Sequence, residues 1–130
     1  MAASPGELGA AWDGGRLHLP LITHVNGALV GQPDCARDMT FDFPTLVAHA
    51  AKTRALGAGT IIGSGPVSND DHAKGFSSLT EKRILETIED GAPKTPFLSF
   101  GDRVRIEMFG PGGASIFDAI DQEAARYKGP

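Results

Sequence analysis

The chain has 130 residues, with 12 lysines and arginines against 16 aspartates and glutamates, which gives a net charge of −4. This length suits one domain, and 41% hydrophobic with 22% charged residues excludes a wholly disordered chain. The mild acidity argues against nucleic acid as a partner, no apolar run approaches the roughly 20 residues of a membrane span, and the single Cys35 excludes an internal disulfide. We therefore expect a soluble cytoplasmic protein that binds neither nucleic acid nor membrane.

The first third of the chain carries three local signals. Residues 1–15 are small, polar and glycine-rich, which predicts a flexible segment leading into a single domain over residues 16–130. Leucines at every second position between Arg16 and Leu21 predict a half-buried strand. The Asn26-Gly27 pair lies between apolar residues and predicts a β-hairpin with a type I′ turn.

The middle of the chain opens with a helix signal. Asp42 or Phe43 suits the N-cap and Pro44 the first turn, an apolar face follows at helical spacing, and Gly57 is placed to end the helix. Residues 59–66 predict a short buried strand that runs into a glycine turn.

A loop and an ambiguous segment come next. Residues 67–76 are polar and predict a loop. Residues 77–90 show no clean period, so strand and helix both stay open, although propensity favours a helix from Glu81 to Ile88.

The last third begins with the clearest strand pattern in the chain. Apolar and charged residues alternate from Arg103 to Met108, residues 115–120 predict another strand, and residues 121–127 predict a short helical tail. Several strands with one or two short helices, in no βαβ order, predict an α+β fold with mainly antiparallel sheets.

Two polar stretches are candidates for a site, and each has two interpretations. The Gly63-Ser64-Gly65 turn either brings backbone N–H groups to an anion or is a plain tight turn. Residues 69–72 read Asn-Asp-Asp-His and suggest metal ligands, but adjacent residues cannot all converge on one ion, which favours a solvated loop. On local grounds Glu81 lies on an exposed, charged helix face, and Cys35 is an inert thiol without a visible base.

Four blocks of the sequence resemble a known family when they are taken in order. They are Val25-Asn26-Gly27, the stretch 38–43 that reads Asp-Met-Thr-Phe-Asp-Phe, the stretch 59–65, and the stretch 101–110, which begins Gly-Asp and ends Glu-Met-Phe-Gly. In this order and spacing they are similar to the C-terminal region of the fumarylacetoacetate hydrolase family, with the match running roughly from Leu8 to Tyr127.

The resemblance implies a fold and a chemistry. Members of this family are built from stacked, mixed β-sheets, are usually dimeric, and hydrolyse carbon–carbon bonds in β-diketo or acylpyruvate acids with Mg²⁺, Mn²⁺ or Ca²⁺. Their metal ligands are a Glu-x-Glu pair and two further acids, all upstream of the matched region, and this sequence contains no Glu-x-Glu. We therefore expect no metal ligands in this chain and no turnover by it alone.

The resemblance also assigns site residues. A family threonine that contacts the substrate carboxylate corresponds to Pro66, which has no hydroxyl or N–H, so Ser64 and the Gly65 N–H remain as anion contacts. Glu81 corresponds to the glutamate that activates water together with an upstream histidine, which implies that Glu81 begins on a strand. The chain is then part of a diketo-acid hydrolase that an N-terminal half completes; the alternative is a non-catalytic truncated or split-subunit assembly module. In both cases we expect homo-oligomers.

Overall fold

The computed structural model describes residues 5–129. Four strands follow a short N-terminal helix, and two helices and two further strands come after them. The order is α1 (Pro5–Leu8), β1 (Trp12–Asp13), β2 (Arg16–Leu17), β3 (Ile22–Val25), β4 (Ala28–Gly31), α2 (Phe43–Ala51), α3 (Leu79–Asp90), β5 (Arg103–Glu107) and β6 (Ile120–Glu123). Two 3₁₀ turns lie at Gly9–Ala11 and His72–Lys74. Within the described residues, no helix is both long and apolar enough to cross a membrane.

The strands form two antiparallel sheets, which confirms the α+β prediction. Strands β1 and β2 pair with each other, and the larger sheet has the order β4-β3-β5-β6. The predicted hairpin joins β3 and β4, with φ of 50° at Asn26 and 79° at Gly27. The Asn26 side chain also donates to Asp102 Oδ1 (2.8 Å) and accepts from the Arg103 N–H (2.8 Å), so the turn is fixed to the start of β5.

The hydrophobic core lies beside the two-stranded sheet. It contains five buried side chains: Leu8, Leu17, Leu19, Met108 and Ile116. Leu17 and Leu19 are therefore buried as predicted and Leu21 is half-buried beside them, although Pro20 falls between β2 and β3 and the extended run is not one strand. Within residues 1–15, where we expect a flexible segment, residues 5–13 form α1, a 3₁₀ turn and β1, and Leu8 is only 4% exposed; residues 1–4 lie outside the described part.

Helix α2 begins where the sequence predicts, whereas α3 begins at Leu79, two residues before the favoured start at Glu81. Asp42 caps α2 by accepting the Thr45 N–H at 2.8 Å, and these hydrogen bonds to Thr45 lower the pKa of its carboxyl. The helix ends at Ala51, earlier than the predicted stop at Gly57. Residues 79–90 form helix α3, which ends at Gly91 with φ of 83°. Propensity is thus right here, and the expectation that Glu81 begins on a strand is wrong.

The stretch 59–66 is not the predicted buried strand. Ile61 is 92% exposed, and among the described residues no strand pairs with this stretch. Gly59 has a φ of +83°, and the Thr60 N–H turns back to the Gly57 carbonyl. The apolar residues of this stretch do not form a strand, because in the described part of the chain no neighbouring strand pairs with them and no side chains pack over Ile61.

The last strand is shifted toward the C-terminus. In the predicted strand 115–120, Ser115 makes an isolated bridge to Phe109, and Asp118 has a φ of 59° that interrupts the extended backbone. The helical tail at residues 121–127 is also wrong, because residues 120–123 form β6 against β5. Asp121 lies opposite Arg105 there and accepts from both Arg105 and Arg103, at 3.2 and 2.6 Å.

Candidate functional site

Two loops are joined by one buried asparagine. Asn69 is 6% exposed, and its Oδ1 accepts the Asp34 N–H at 2.8 Å. Its Nδ2 lies 3.0 Å from each of the carbonyl oxygens of Asp34, Arg37 and Ser68. The loop after β4 and the loop before α3 therefore hold a fixed position relative to each other.

The first of these loops, residues 34–41, is further fixed by its own hydrogen bonds. The Asp34 carboxylate accepts the N–H groups of Ala36 and Arg37 at 2.8 and 2.9 Å. Asp38 adopts a φ of +60° and accepts the Asp70 N–H at 2.9 Å, a second bond between the loops. Such a left-handed aspartate is uncommon, and it is held here by contacts on both sides.

The two loops enclose a cavity of about 250 Å³. Its walls carry one cation, one carboxylate, one thiol and several hydroxyls. The residues that line it include Cys35, Arg37, Asp38, Thr40, Ser64, Pro66 and Ser68. Ser64, Gly65 and Pro66 were predicted to border the substrate, with Ser64 and the Gly65 N–H as the anion contacts. Ser64 and Pro66 line this cavity, and Gly65 stands between them in the chain with a φ of +87°. The cavity is polar enough to hold a small anionic ligand.

Glu81 lies beside this cavity, on the first turn of α3. Its carboxylate accepts a hydrogen bond from the Ser68 hydroxyl, and Ser68 lines the cavity just described. Glu81 also lines a second cavity, together with Pro66 and His72. Glu81 and Pro66 thus line the second cavity, and Pro66 and Ser64 line the first.

Two residues of these walls were missed by sequence reasoning. Arg37 carried no signal of its own, because it stands alone in a polar loop next to the block Asp38-Met39-Thr40-Phe41. His72 was discounted as part of a solvated loop. Of that loop, Asn69 is buried rather than solvated, and Asp71 caps the 3₁₀ turn at His72–Lys74 by accepting the Ala73 N–H at 3.2 Å.

The thiol of Cys35 is not set up as a nucleophile. Burial and, to a lesser degree, the neighbouring Asp34 carboxylate raise its pKa to about 11. Because the thiolate is the reactive form, the thiol is almost fully protonated near neutral pH. Cys35 therefore contributes a half-buried, weakly polar wall.

The donor set of these cavities does not fit a divalent metal. Mg²⁺, Mn²⁺ and Ca²⁺ take several oxygen ligands, with carboxylates foremost. Within residues 5–129, no three side chains of histidine, cysteine, aspartate or glutamate lie close enough together to hold an ion. The cavity beside Arg37 offers a single carboxylate, from Asp38, next to a guanidinium.

Taken together, two loops form a polar cavity, and the Glu81 carboxylate lies at its edge. A sequence model of the family described as Fumarylacetoacetate (FAA) hydrolase C-terminal matches residues 3–117. The chain belongs to this family. No curated protein matches it.

Proposed function

We propose that this chain forms the C-terminal side of the active site of a metal-dependent hydrolase that cleaves carbon–carbon bonds in β-diketo or acylpyruvate acids. Glu81 acts as the general base, the turn Ser64–Pro66 borders the substrate carboxylate, and the chain alone does not turn over. The observation that carries the proposal is the placement of Glu81, Ser68 and Pro66 around two adjoining cavities, in a chain that belongs to this family.

The position of Glu81 supports its assignment as the base. Its carboxylate is half-buried at the start of α3 and accepts a hydrogen bond from Ser68, which orients it toward the cavity wall. In the reaction, Glu81 takes a proton from water, the water oxygen bonds to the keto carbon distant from the carboxylate, and the carbon–carbon bond breaks. The departing carbon receives a proton, so that acetylpyruvate and water give acetate and pyruvate. General-base help of this kind contributes about 10²- to 10⁴-fold in rate.

We infer that the metal the family uses is not held by the cavities of residues 5–129, because their donor sets do not fit it. A thermal unfolding experiment tests this point. A specific ion present at 100 times its Kd would add about 2.7 kcal/mol to the stability, or several degrees in Tm. We expect millimolar Mn²⁺ or Mg²⁺ to leave the Tm of the chain unchanged; a chelator-reversible rise would show a metal site in this chain.

Complementation tests the role of Glu81. The chain is mixed with a separate polypeptide that carries the Glu-x-Glu portion of a family member, and loss of acetylpyruvate is followed with Mn²⁺ present. We expect no turnover by the chain alone, turnover by the mixture, and a loss of about 10²-fold or more in Glu81→Gln. Glu89→Gln, an exposed glutamate on the same helix, is the matched control and should keep the full rate. Equal rates in the two variants would refute the assignment of Glu81.

A second candidate function, a non-catalytic assembly module, is favoured by the exposed surface. The chain exposes 8855 Å², whereas a folded monomer of 13.6 kDa exposes about 6,600 Å². The excess is about 2,300 Å², and each partner in an obligate interface buries about 1,000–2,500 Å². Neither α2 nor α3 contains a buried residue.

One apolar part of this surface lies on α3 and the segment after it. Ile84, Ile88 and Phe97 are 55%, 72% and 56% exposed, and with Pro93 they line an apolar cleft. We propose that a second copy of the chain covers this cleft. Light scattering at micromolar concentration should then show a dimer for the wild type and a monomer for Ile88→Lys, with Glu89→Lys as the control. A monomeric wild type would refute self-association.

A further inference from the structure

The cavity between the two loops is lined by an arginine whose guanidinium has no partner among the described residues. Arg37 lines the cavity and is exposed, and within residues 5–129 its guanidinium takes part in no ion pair or side-chain hydrogen bond. By contrast, Arg103 and Arg105 both pair with Asp121. A free guanidinium in a small cavity has five N–H donors available for a ligand.

The backbone that carries Arg37 is held on both sides. Its N–H donates to the Asp34 carboxylate at 2.9 Å, and its carbonyl accepts from Asn69 Nδ2 at 3.0 Å. The loop backbone therefore needs no ordering when a ligand binds, and only the exposed arginine side chain remains to be ordered. The position of Arg37 is thus prepared before a ligand arrives.

We propose that Arg37 anchors the carboxylate of the keto acid, in the place where Pro66 can offer no hydroxyl. This inference rests on the proposed function for the class of ligand. Arginine binds carboxylates through two parallel N–H···O bonds, which a neutral hydroxyl cannot match. Ser64 and Ser68 line the same cavity and add neutral donors, and a volume of about 250 Å³ suits a small acid.

One acidic group opposes an anion in this cavity. Asp38 lines it too, and its Oδ2 already accepts the Asp70 N–H. A ligand with both a carboxylate and a hydroxyl donor satisfies both charges, since the carboxylate pairs with Arg37 and the hydroxyl donates to Asp38. The enol form of a β-diketo acid carries both groups, so this cavity favours such an acid over a simple carboxylate.

Titration of the chain with acetylpyruvate, followed by amide NMR shifts, tests the proposal without any turnover. The uncharged analogue acetylacetone, which is the same skeleton without the carboxylate, is the ligand control. We expect acetylpyruvate to shift amides in residues 35–41 and 64–68, and acetylacetone to shift none. Arg37→Gln should weaken binding about tenfold or more, Arg37→Lys less, and Arg54→Gln, an exposed arginine outside the cavity, not at all.

Two outcomes would overturn the proposal. The first is an equal affinity for acetylpyruvate in Arg37→Gln and the wild type, when both proteins are folded. The second is a set of amide shifts confined to the residues around Arg103 and Arg105. The result is separable from the test of the proposed function, because Glu81→Gln should still bind acetylpyruvate. If the complemented protein binds acetylpyruvate but does not hydrolyse it, the proposed hydrolase function is refuted and the role of Arg37 is not. If it hydrolyses acetylpyruvate and Arg37→Gln has no effect, the role of Arg37 is refuted and the hydrolase function is not.

Discussion

Replacing Asn69 by alanine should destabilise the protein strongly for a change in a loop. The side chain is 6% exposed and makes four contacts of 2.8–3.0 Å, three to the loop of Asp34 and Arg37 and one to Ser68 in its own loop. Its NH₂ group has two hydrogens, so at most three of the four contacts are full hydrogen bonds. Alanine removes all of them and leaves the Asp34 N–H without a partner.

The magnitude follows from these bonds. Each contributes about 0.5–1.5 kcal/mol net, and a buried donor left without its acceptor costs about 1–3 kcal/mol. We therefore expect the free energy of unfolding to fall by about 3 kcal/mol, which lowers the Tm by about 10 °C for a domain of this size. Because the same bonds hold the Arg37 backbone, the affinity for acetylpyruvate should fall with it.

Urea and thermal unfolding, followed by circular dichroism, measure the effect. Gln32→Ala removes an exposed amide from the neighbouring loop and should change the stability by less than about 0.5 kcal/mol. Asn69→Asp keeps the acceptor for the Asp34 N–H but replaces the donor by an oxygen that faces carbonyl groups, so it should be as destabilising as alanine. If Asn69→Asp unfolds at the wild-type midpoint at pH 7, the amide donors do not hold the loops together.

Three further predictions concern packing and protonation. Gly31→Ala should destabilise by about 1–3 kcal/mol in urea unfolding, because its Cβ would lie 2.1 Å from the Phe76 nitrogen; Gly57→Ala, in open space, is the control and should not destabilise. Glu86 accepts from the Thr95 hydroxyl and N–H and the Lys94 N–H, and these bonds lower the pKa of its carboxyl to about 2. The contribution of Glu86 to the free energy of unfolding is therefore present above the ordinary pKa of about 4.5 and is lost as the pH falls toward 2. Between pH 7 and pH 2, the urea midpoint of Glu86→Gln should drop less than that of the wild type. An equal drop in the two proteins would contradict this. Cys35, with a pKa of about 11, should react with iodoacetamide at pH 8 about 100-fold more slowly than a free cysteine, and Asp34→Asn should speed it only slightly because burial is the larger cause; alkylation at the free-cysteine rate would refute this.

The fold was predictable where a local signal coincides with a tertiary partner. The Asn26-Gly27 turn and the alternation in β5 agree with the sheet, since β3 pairs with β5. Where the partner is missing, pattern alone misleads: the apolar run around Ile61 has no strand beside it. The residues of β6 looked helical by composition, but the ion pairs of Asp121 with two arginines on β5 favour a strand.

The site was predictable only in part, because loops bring together residues that are distant in sequence. Resemblance pointed to Ser64, Pro66 and Glu81, and the structure places them around two adjoining cavities. Their roles stay predictions until the variants are measured. The resemblance could not have indicated Arg37 as a site residue. Arg37 and Ser64 line the same cavity because the side chain of Asn69 joins their two loops, through contacts that span 32 and 35 residues of chain.

The position of the core links the two candidate functions. The buried core lies beside β1 and β2, whereas α3 contributes no buried residue and is held by polar contacts, such as those of Glu81 with Ser68 and of Glu86 with Thr95. Ile84 lines both the cavity of Glu81 and the apolar cleft of α3. A partner that covers this cleft therefore also closes one wall of the cavity and fixes the helix that carries Glu81. Because Ile84 and Ile88 follow Glu81 at helical spacings of three and seven, assembly on this face and catalysis by Glu81 would depend on the same helix.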